Sequence, residues 1–132
     1  MTSEWMAEEL DRIGQAEELQ IASRRRDGTL RPYVTIWSAR SGDDLYVRSA
    51  YGPDNGWHRR ALASGTGRIR AGGVERDVRF EPVDADDPEQ DGVDGAYRAK
   101  YDRFGPRLID TVVSASARAS TLLILPRPES AG

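Results

Sequence analysis

The sequence predicts an α+β fold, a small antiparallel barrel with flanking helices, on three observations. Short apolar segments alternate with polar neighbours and are separated by Asp-Gly, Gly-Asp and Gly-Gly turn signals. A short helical pattern falls between the third and fourth of these segments. No glycine-rich strand-to-helix fingerprint of a dinucleotide or P-loop fold is present. The 132 residues suit one domain over positions 1–132 and leave no room for a two-domain cleft, so a deep site is expected at a subunit joint, in a homodimer.

Each element has its own signal. Thr2 or Ser3 can cap a first helix with Glu4, Glu8 and Glu9 at its positive end, an apolar stripe of Trp5, Met6, Leu10 and Ile13, and Gly14 as its stop. Leu19 and Ile21 alternate with polar neighbours into Arg24, Arg25 and Arg26. The Asp27-Gly28 turn leads to a second strand, Tyr33 to Ala39. Ser41 to Asp44 turns the chain into a third strand, Leu45 to Ala50, with Leu45, Val47 and Ser49 on one face and Tyr46, Arg48 and Ala50 on the other, so that three strands form a meander. After the Gly52 to Gly56 loop, Trp57 to Ser64 reads as a short helix ended by Gly65. Arg68 to Ala71 and Val74 to Val83 pair across Gly72-Gly73. Glu81 to Asp94 holds seven acids and no base and reads as a solvated connection into a helix carrying Val93, Tyr97, Tyr101 and Phe104, which Gly105-Pro106 breaks. Thr121 to Leu125 is a last apolar strand, and 126–132 reads as a frayed tail.

Composition excludes several chemistries. With no Cys there is no disulfide, thiol nucleophile or Cys-based metal site, and His58 alone rules out a multi-histidine centre. No apolar run reaches the ~18 residues of a membrane span, and the acidic start lacks a secretory signal, so the expected location is cytoplasmic, with no membrane partner. From Arg24 to Arg79 there are 12 basic and 6 acidic residues inside a chain of net charge -3. A basic centre in an acidic protein favours a local anionic ligand over nucleic acid. Arginine supplies every basic residue except Lys100, a bias that a GC-rich coding sequence accounts for without any physical demand.

The segment Arg48 to Arg60 carries most of the chemistry. It sets Arg48 and Ser49 at a strand end and Trp57, His58, Arg59 and Arg60 at a helix start, where free backbone amides attract a phosphate or carboxylate. The structural alternative makes Trp57 core and pairs the arginines with Asp43, Asp44 or Asp54. His58 is the sole candidate general acid or base, equally readable as a binding or packing residue because no orienting carboxylate is identifiable. Trp37, Tyr97 and Tyr101 are candidates to stack on a planar ligand, or core; Lys100 on the same helix would meet an anion or solvent. Ser114, Ser116 and Ser120 lack a GxSxG context, and the acidic run lacks calcium-loop spacing.

The succession Glu8 to Gly14, Val34 to Trp37, Asp43 to Ser49, Trp57 to Ala61, Arg68 to Gly73 and Tyr97 to Tyr101 resembles the bacterial family named domain of unknown function 2255, from about Glu8 to Leu125. That family looks like a relative of the split beta-barrel flavin-binding proteins, pyridoxamine-phosphate oxidases and deazaflavin-dependent reductases among them. The resemblance implies a split beta-barrel, and a barrel of this length leaves strand edges and an aromatic-lined groove for a second subunit to cover, so a dimer through the sheet is expected. It implies an FMN or deazaflavin cofactor whose phosphate lies near Arg48, Ser49, Trp57, His58, Arg59 and Arg60; Trp37, Tyr97, Lys100 and Tyr101 stay, from the residues themselves, the expected substrate contacts. The function so implied is a flavin- or deazaflavin-dependent oxidoreductase acting on a small organic molecule, the cofactor supplying the redox chemistry. Those reductases carry a lysine and paired glycines where this chain has Tyr51 and Gly52, and a glycine-rich basic turn that is absent between Ser23 and Pro32. A cofactor-free alternative follows: the same groove binds, isomerises or cyclises a small anionic metabolite.

Overall fold

The structure, a computed structural model, describes residues 5–50, 52 and 55–127. Helix α1 is Ala7–Gln15, with Glu8 and Glu9 in its first turn and Leu10 and Ile13 buried. The proposed capping residues Thr2, Ser3 and Glu4 lie outside the described residues. Gly14 sits inside the helix instead of ending it, and Met6 is 64% exposed. One buried pair three residues apart is enough to seat a helix of this length, and Trp5 packs separately before it, donating its indole N–H to the Ile124 carbonyl at 2.9 Å.

Seven strands follow: β1 Leu19–Ser23, β2 Val34–Ile36, β3 Ser38–Ser41, β4 Asp44–Val47, β5 Thr66–Ala71, β6 Val74–Pro82 and β7 Leu122–Pro126. Their order is β2-β1-β5-β6-β7-β4-β3, with every pairing antiparallel. The stretch expected as one strand over 33–39 is therefore two, divided at Trp37, and they stand at opposite ends of the sheet order. The expected three-strand meander is corrected accordingly: β1 pairs β2 and β3 pairs β4, but β2 does not pair β3. Because Trp37 alone links the two end strands, the sheet must curl until its edges meet. The result is a nearly closed barrel.

Gly72 and Gly73, at φ 58° and 83°, make the β5–β6 hairpin turn, a conformation other residues adopt at a cost. Helix α2 is Gly56–Ser64 and ends, as expected, on Gly65 in the left-handed region. Helix α3 is Glu89–Tyr101, continued by a 3-10 turn over Asp102–Phe104. Two helices were not foreseen, α4 Pro106–Val113 and α5 Ala115–Arg118. Pro106 begins a helix as well as ending the preceding turn, since its missing N–H is harmless in a first turn. Pro126, assigned above to the tail, pairs with Val78 at the end of β7; positions 128–132 lie outside the described residues.

The pleat produces two apolar clusters. Leu45 and Val47 join Leu19, Ile21, Ile69, Val78, Leu122 and Ile124 in the first, sealed by Leu10 and Ile13 of α1 and Trp57 of α2. Tyr46, on the other face of β4 as expected, joins Ala39, Val93, Tyr97, Tyr101, Ile109 and Val112 in the second, beneath α3 and α4. Among the described residues no helix is long and apolar enough to cross a membrane.

Candidate functional site

A groove of about 420 Å³ opens beside the junction between the two end strands. Val34, Thr35 and Ile36 of β2 line one side, with Trp37 after them; Asn55 and Trp57 come from the start of α2, and Leu108, Thr111 and Val112 from α4. Glu18, Arg48 and Ala50 complete the lining. Two tryptophans and several aliphatic side chains with a few polar groups are what a planar organic ligand requires.

The residues expected to cradle a phosphate divide into two groups. Arg48 is buried, and its guanidinium is engaged wholly within the chain. Nε donates to Thr121 Oγ1 at 2.9 Å, one terminal nitrogen to Asp94 Oδ1 at 2.5 Å and the Val112 carbonyl at 2.8 Å, the other to Gln90 Oε1 at 2.6 Å. It also lies 5.6 Å from the Tyr97 ring centroid. With these donors committed, Arg48 ties the end of β4 to α3, α4 and the start of β7. His58 is likewise buried, with Nε2 2.8 Å from the Ser120 carbonyl, and it does not line the groove. Ser49 is buried, its N–H donating to Ser120 Oγ at 2.8 Å, while its own hydroxyl has no hydrogen-bond partner. Trp57 is 7% exposed, serving both core and groove.

Arg59 and Arg60 are exposed on α2 and no carboxylate of the described residues pairs with either. Asp54, one suggested partner, lies outside those residues. Arg60 folds back over the helix start, where a Cβ on Gly56 would come within 3.0 Å of its guanidinium. Helix α2 has no acid in its first turn, so among the described residues no carboxylate offsets its positive end or this cation. Across from it, Arg31 lines the same shallow recess as Arg60, together with Val34 and Trp57, and its Nε is buried without a partner. Val34 and Trp57 line both groove and recess, so the two lie side by side. Arg31 was missed in sequence because it reads as one more loop arginine; only the β1–β2 hairpin brings it to α2.

The residues expected around a substrate are also separated. Trp37 lines the groove, one face covered by Tyr101 at 4.0 Å between ring centroids and 6° between planes, with Phe104 at 5.3 Å. Tyr101 and Tyr97 lie behind it in the second cluster and do not line the groove. Tyr97 donates to the Trp37 carbonyl at 3.1 Å, and Tyr101 to the Glu17 carbonyl at 2.6 Å while accepting from the Ser38 N–H at 3.2 Å. Burial raises both phenols, Tyr101 to about 12. Lys100 lies in a different recess. The second cluster claims the tyrosines because helical spacing aims them at β3.

Residues 9–124 match the family described as an uncharacterized protein conserved in bacteria, DUF2255. The chain belongs to that family. Among curated proteins none matches this DUF2255 chain. Similar solved structures include an F420-H2-dependent reductase (14% identity, TM-score 0.59, 83% of this chain and 93% of that one). The heme storage protein HutZ of Vibrio cholerae aligns at 15% identity and TM-score 0.59, covering 98% and 92% of the two chains. A FAD-binding protein of Mesorhizobium loti aligns at 20% identity and TM-score 0.54, covering 93% and 91%. At these identities the likeness is one of fold: this DUF2255 chain is a split β-barrel.

Proposed function

We propose that the protein is a small-molecule oxidoreductase that takes the ring of a flavin or deazaflavin into the groove, with the cofactor's anionic tail running over Trp57 to Arg31 and Arg60. The observation that carries this reading is an apolar, tryptophan-lined groove lying beside two arginines, Arg31 and Arg60, that no carboxylate of the described residues pairs. The ring portion fits the walls formed by Val34, Ile36, Trp37, Trp57 and Leu108. On this reading the phosphate lies over the exposed Arg60 and the neighbouring Arg31 rather than at Arg48, whose donors are taken up within the chain. Such a ring supplies hydride or electron transfer when bound, while the chain binds, orients and dehydrates it. A haem suits the groove less well, since none of its described lining residues is a His, Cys, Met, Tyr or Lys.

The test is a titration with FMN, riboflavin and deazaflavin, read by visible absorption and by tryptophan fluorescence. A bound chromophore is expected, and Arg60→Ala should weaken FMN about tenfold or more while leaving riboflavin unchanged, the value of one charge-assisted bond. No binding of any of the three overturns the reading. The saturation of Arg48 favours one second reading, a cofactor-free protein for a planar anionic metabolite; calorimetry without flavin against aromatic carboxylates and phosphates separates the two. A homodimer in which the second subunit covers the rim at the 44% exposed Leu108 belongs to the same proposal, and light scattering at micromolar concentration tests it.

A further inference from the structure

A recess of about 410 Å³ opens on the outer face of the barrel, over β2, β1 and the β5–β6 hairpin. Glu18 and Thr35 line both it and the groove, so the two lie side by side. Strand register sets its floor. Gln20 of β1 stands between Thr35 of β2 and Arg70 of β5, which places a hydroxyl, a carboxamide and a guanidinium in one row at the ~4.8 Å spacing of neighbouring strands. All three line the recess, and among the described residues none of the three side chains is hydrogen-bonded. Arg70 has carboxylates within reach that do not take it. Glu75, directly opposite on β6, is bound by Arg68 at 3.2 Å, and Glu18, two residues from Gln20 and so diagonal to Arg70, is paired by no cation of the described residues. The Arg70 guanidinium carbon lies instead 3.9 Å from the centre of the Tyr33 ring. Tyr33, two residues before Thr35, stands on the opposite side of the row from Glu18 and the Gly72-Gly73 turn, so it backs the guanidinium from the side away from the recess. Stacking on a ring uses the face of a guanidinium and leaves its N–H donors, which lie in the plane, for a ligand.

A planar guanidinium with free donors and an amide beside it form a receptor for a carboxylate. A ligand carrying a carboxylate alone would meet repulsion from Glu18 and Glu75, which both line the recess. An ammonium beside the carboxylate offsets that repulsion and gives Glu18 a counter-ion. We infer that this row binds the head of an α-amino acid, its carboxylate on Arg70 and Gln20 and its ammonium on Glu18, with the side chain turned past Thr35 toward the mouth of the groove. The tryptophans and aliphatic walls there favour an aromatic side chain. The inference deepens the reading of the groove by naming its substrate class, and rests on that reading only for the place of the reacting ring.

The experiment is titration calorimetry on the full chain without flavin, using phenylalanine, phenylpropionate, which lacks the ammonium, and phenylethylamine, which lacks the carboxylate. Phenylalanine is expected to bind about tenfold or more tighter than either, the value of one charge-assisted bond. Arg70→Gln, at an exposed position, should weaken phenylalanine and phenylpropionate about tenfold while leaving phenylethylamine binding and the circular dichroism unchanged. Glu18→Gln should weaken phenylethylamine and close the gap between phenylalanine and phenylpropionate. Arg98→Gln, equally exposed but on α3 and outside the recess, should bind as the parent does. No binding of any of the three up to about 10 mM, equal affinity for all three, or phenylalanine binding undiminished in a folded Arg70→Gln variant overturns the proposal. Flavin is absent from the readout, so this test and that of the proposed function fail independently.

Discussion

Replacing Arg48 by methionine keeps much of the side chain's bulk and removes every polar contact of a guanidinium whose side chain has 0% exposure. Asp94, 21% exposed, loses its ion pair but regains some water; the Val112 carbonyl loses a donor in a buried setting, while Gln90 Oε1 and Thr121 Oγ1 retain their mutual bond at 2.9 Å. Breaking a buried pair from one side costs about 3–5 kcal/mol. At this chain length each kcal/mol shifts the midpoint by roughly 3–5 °C, so the expected fall in Tm is about 10–20 °C. Differential scanning calorimetry on parent, Arg48→Met, Asp94→Asn and the double variant gives the cycle, whose coupling should reach at least about 1 kcal/mol. Arg48→Lys should recover only part of the loss, since one ammonium cannot span Thr121, Asp94, Val112 and Gln90 together. A Tm within about 3 °C of the parent, accompanied by weakened ligand binding, would refute the reasoning and return Arg48 to the role of a phosphate ligand.

Trp57→Ala should lose about 3–5 kcal/mol in a urea titration and also lose ligand quenching, because the same indole closes the first cluster and lines the groove. Arg31→Ala should change stability by less than about 0.5 kcal/mol yet weaken any phosphorylated ligand, as compared by calorimetry on FMN and riboflavin. Tyr101→Phe orphans the Ser38 N–H and frees the Glu17 carbonyl, an expected cost of about 1–3 kcal/mol by thermal unfolding. Stability should rise with pH from about 8 toward 10, because the folded form of Lys100 releases its proton near 8 while the unfolded chain holds it to about 10.4. Above about 10 the trend should reverse, since Tyr46, Tyr97 and Tyr101, all raised by burial, ionise more readily unfolded. Lys100→Met should remove the rise and spare the fall, as read from urea midpoints across that range.

Local pattern made most elements legible. The Gly65 stop of α2, the Gly72-Gly73 hairpin and the opposite faces of Leu45 and Tyr46 all follow from turn chemistry and from the two-residue period of a strand. What could not be read was where the chain changes partner. Alternation slips by one residue at Ile36-Trp37, a step that a bulge within a single strand produces as readily as a change of partner, so hydropathy does not mark Trp37 as the point where one edge strand ends and the other begins. The acidic run was read as solvated for the same reason: Gln90 and Asp94 are buried or half-buried only because α3 lies over the end of β4, where Arg48 meets them. The candidate site shows the same limit. Trp37, Trp57 and Arg60 were singled out from their types and neighbours, whereas Arg31 is informative only beside an α2 residue distant in sequence, and α4 supplies a groove wall from a stretch read as a breaker.

The position of β7 bears on how this protein comes into being. The last strand in chain order is not at a sheet edge but wedged between β6 and β4, with Ile124 opposite both Phe80 and Leu45. During synthesis the β1–β5–β6 half and the β3–β4 hairpin emerge before β7 and present unfilled edges to one another until it follows. The barrel is thus completed by a strand whose pairing with β4 spans more of the chain than any other pairing in the sheet, so the two halves stay open toward one another until β7 docks.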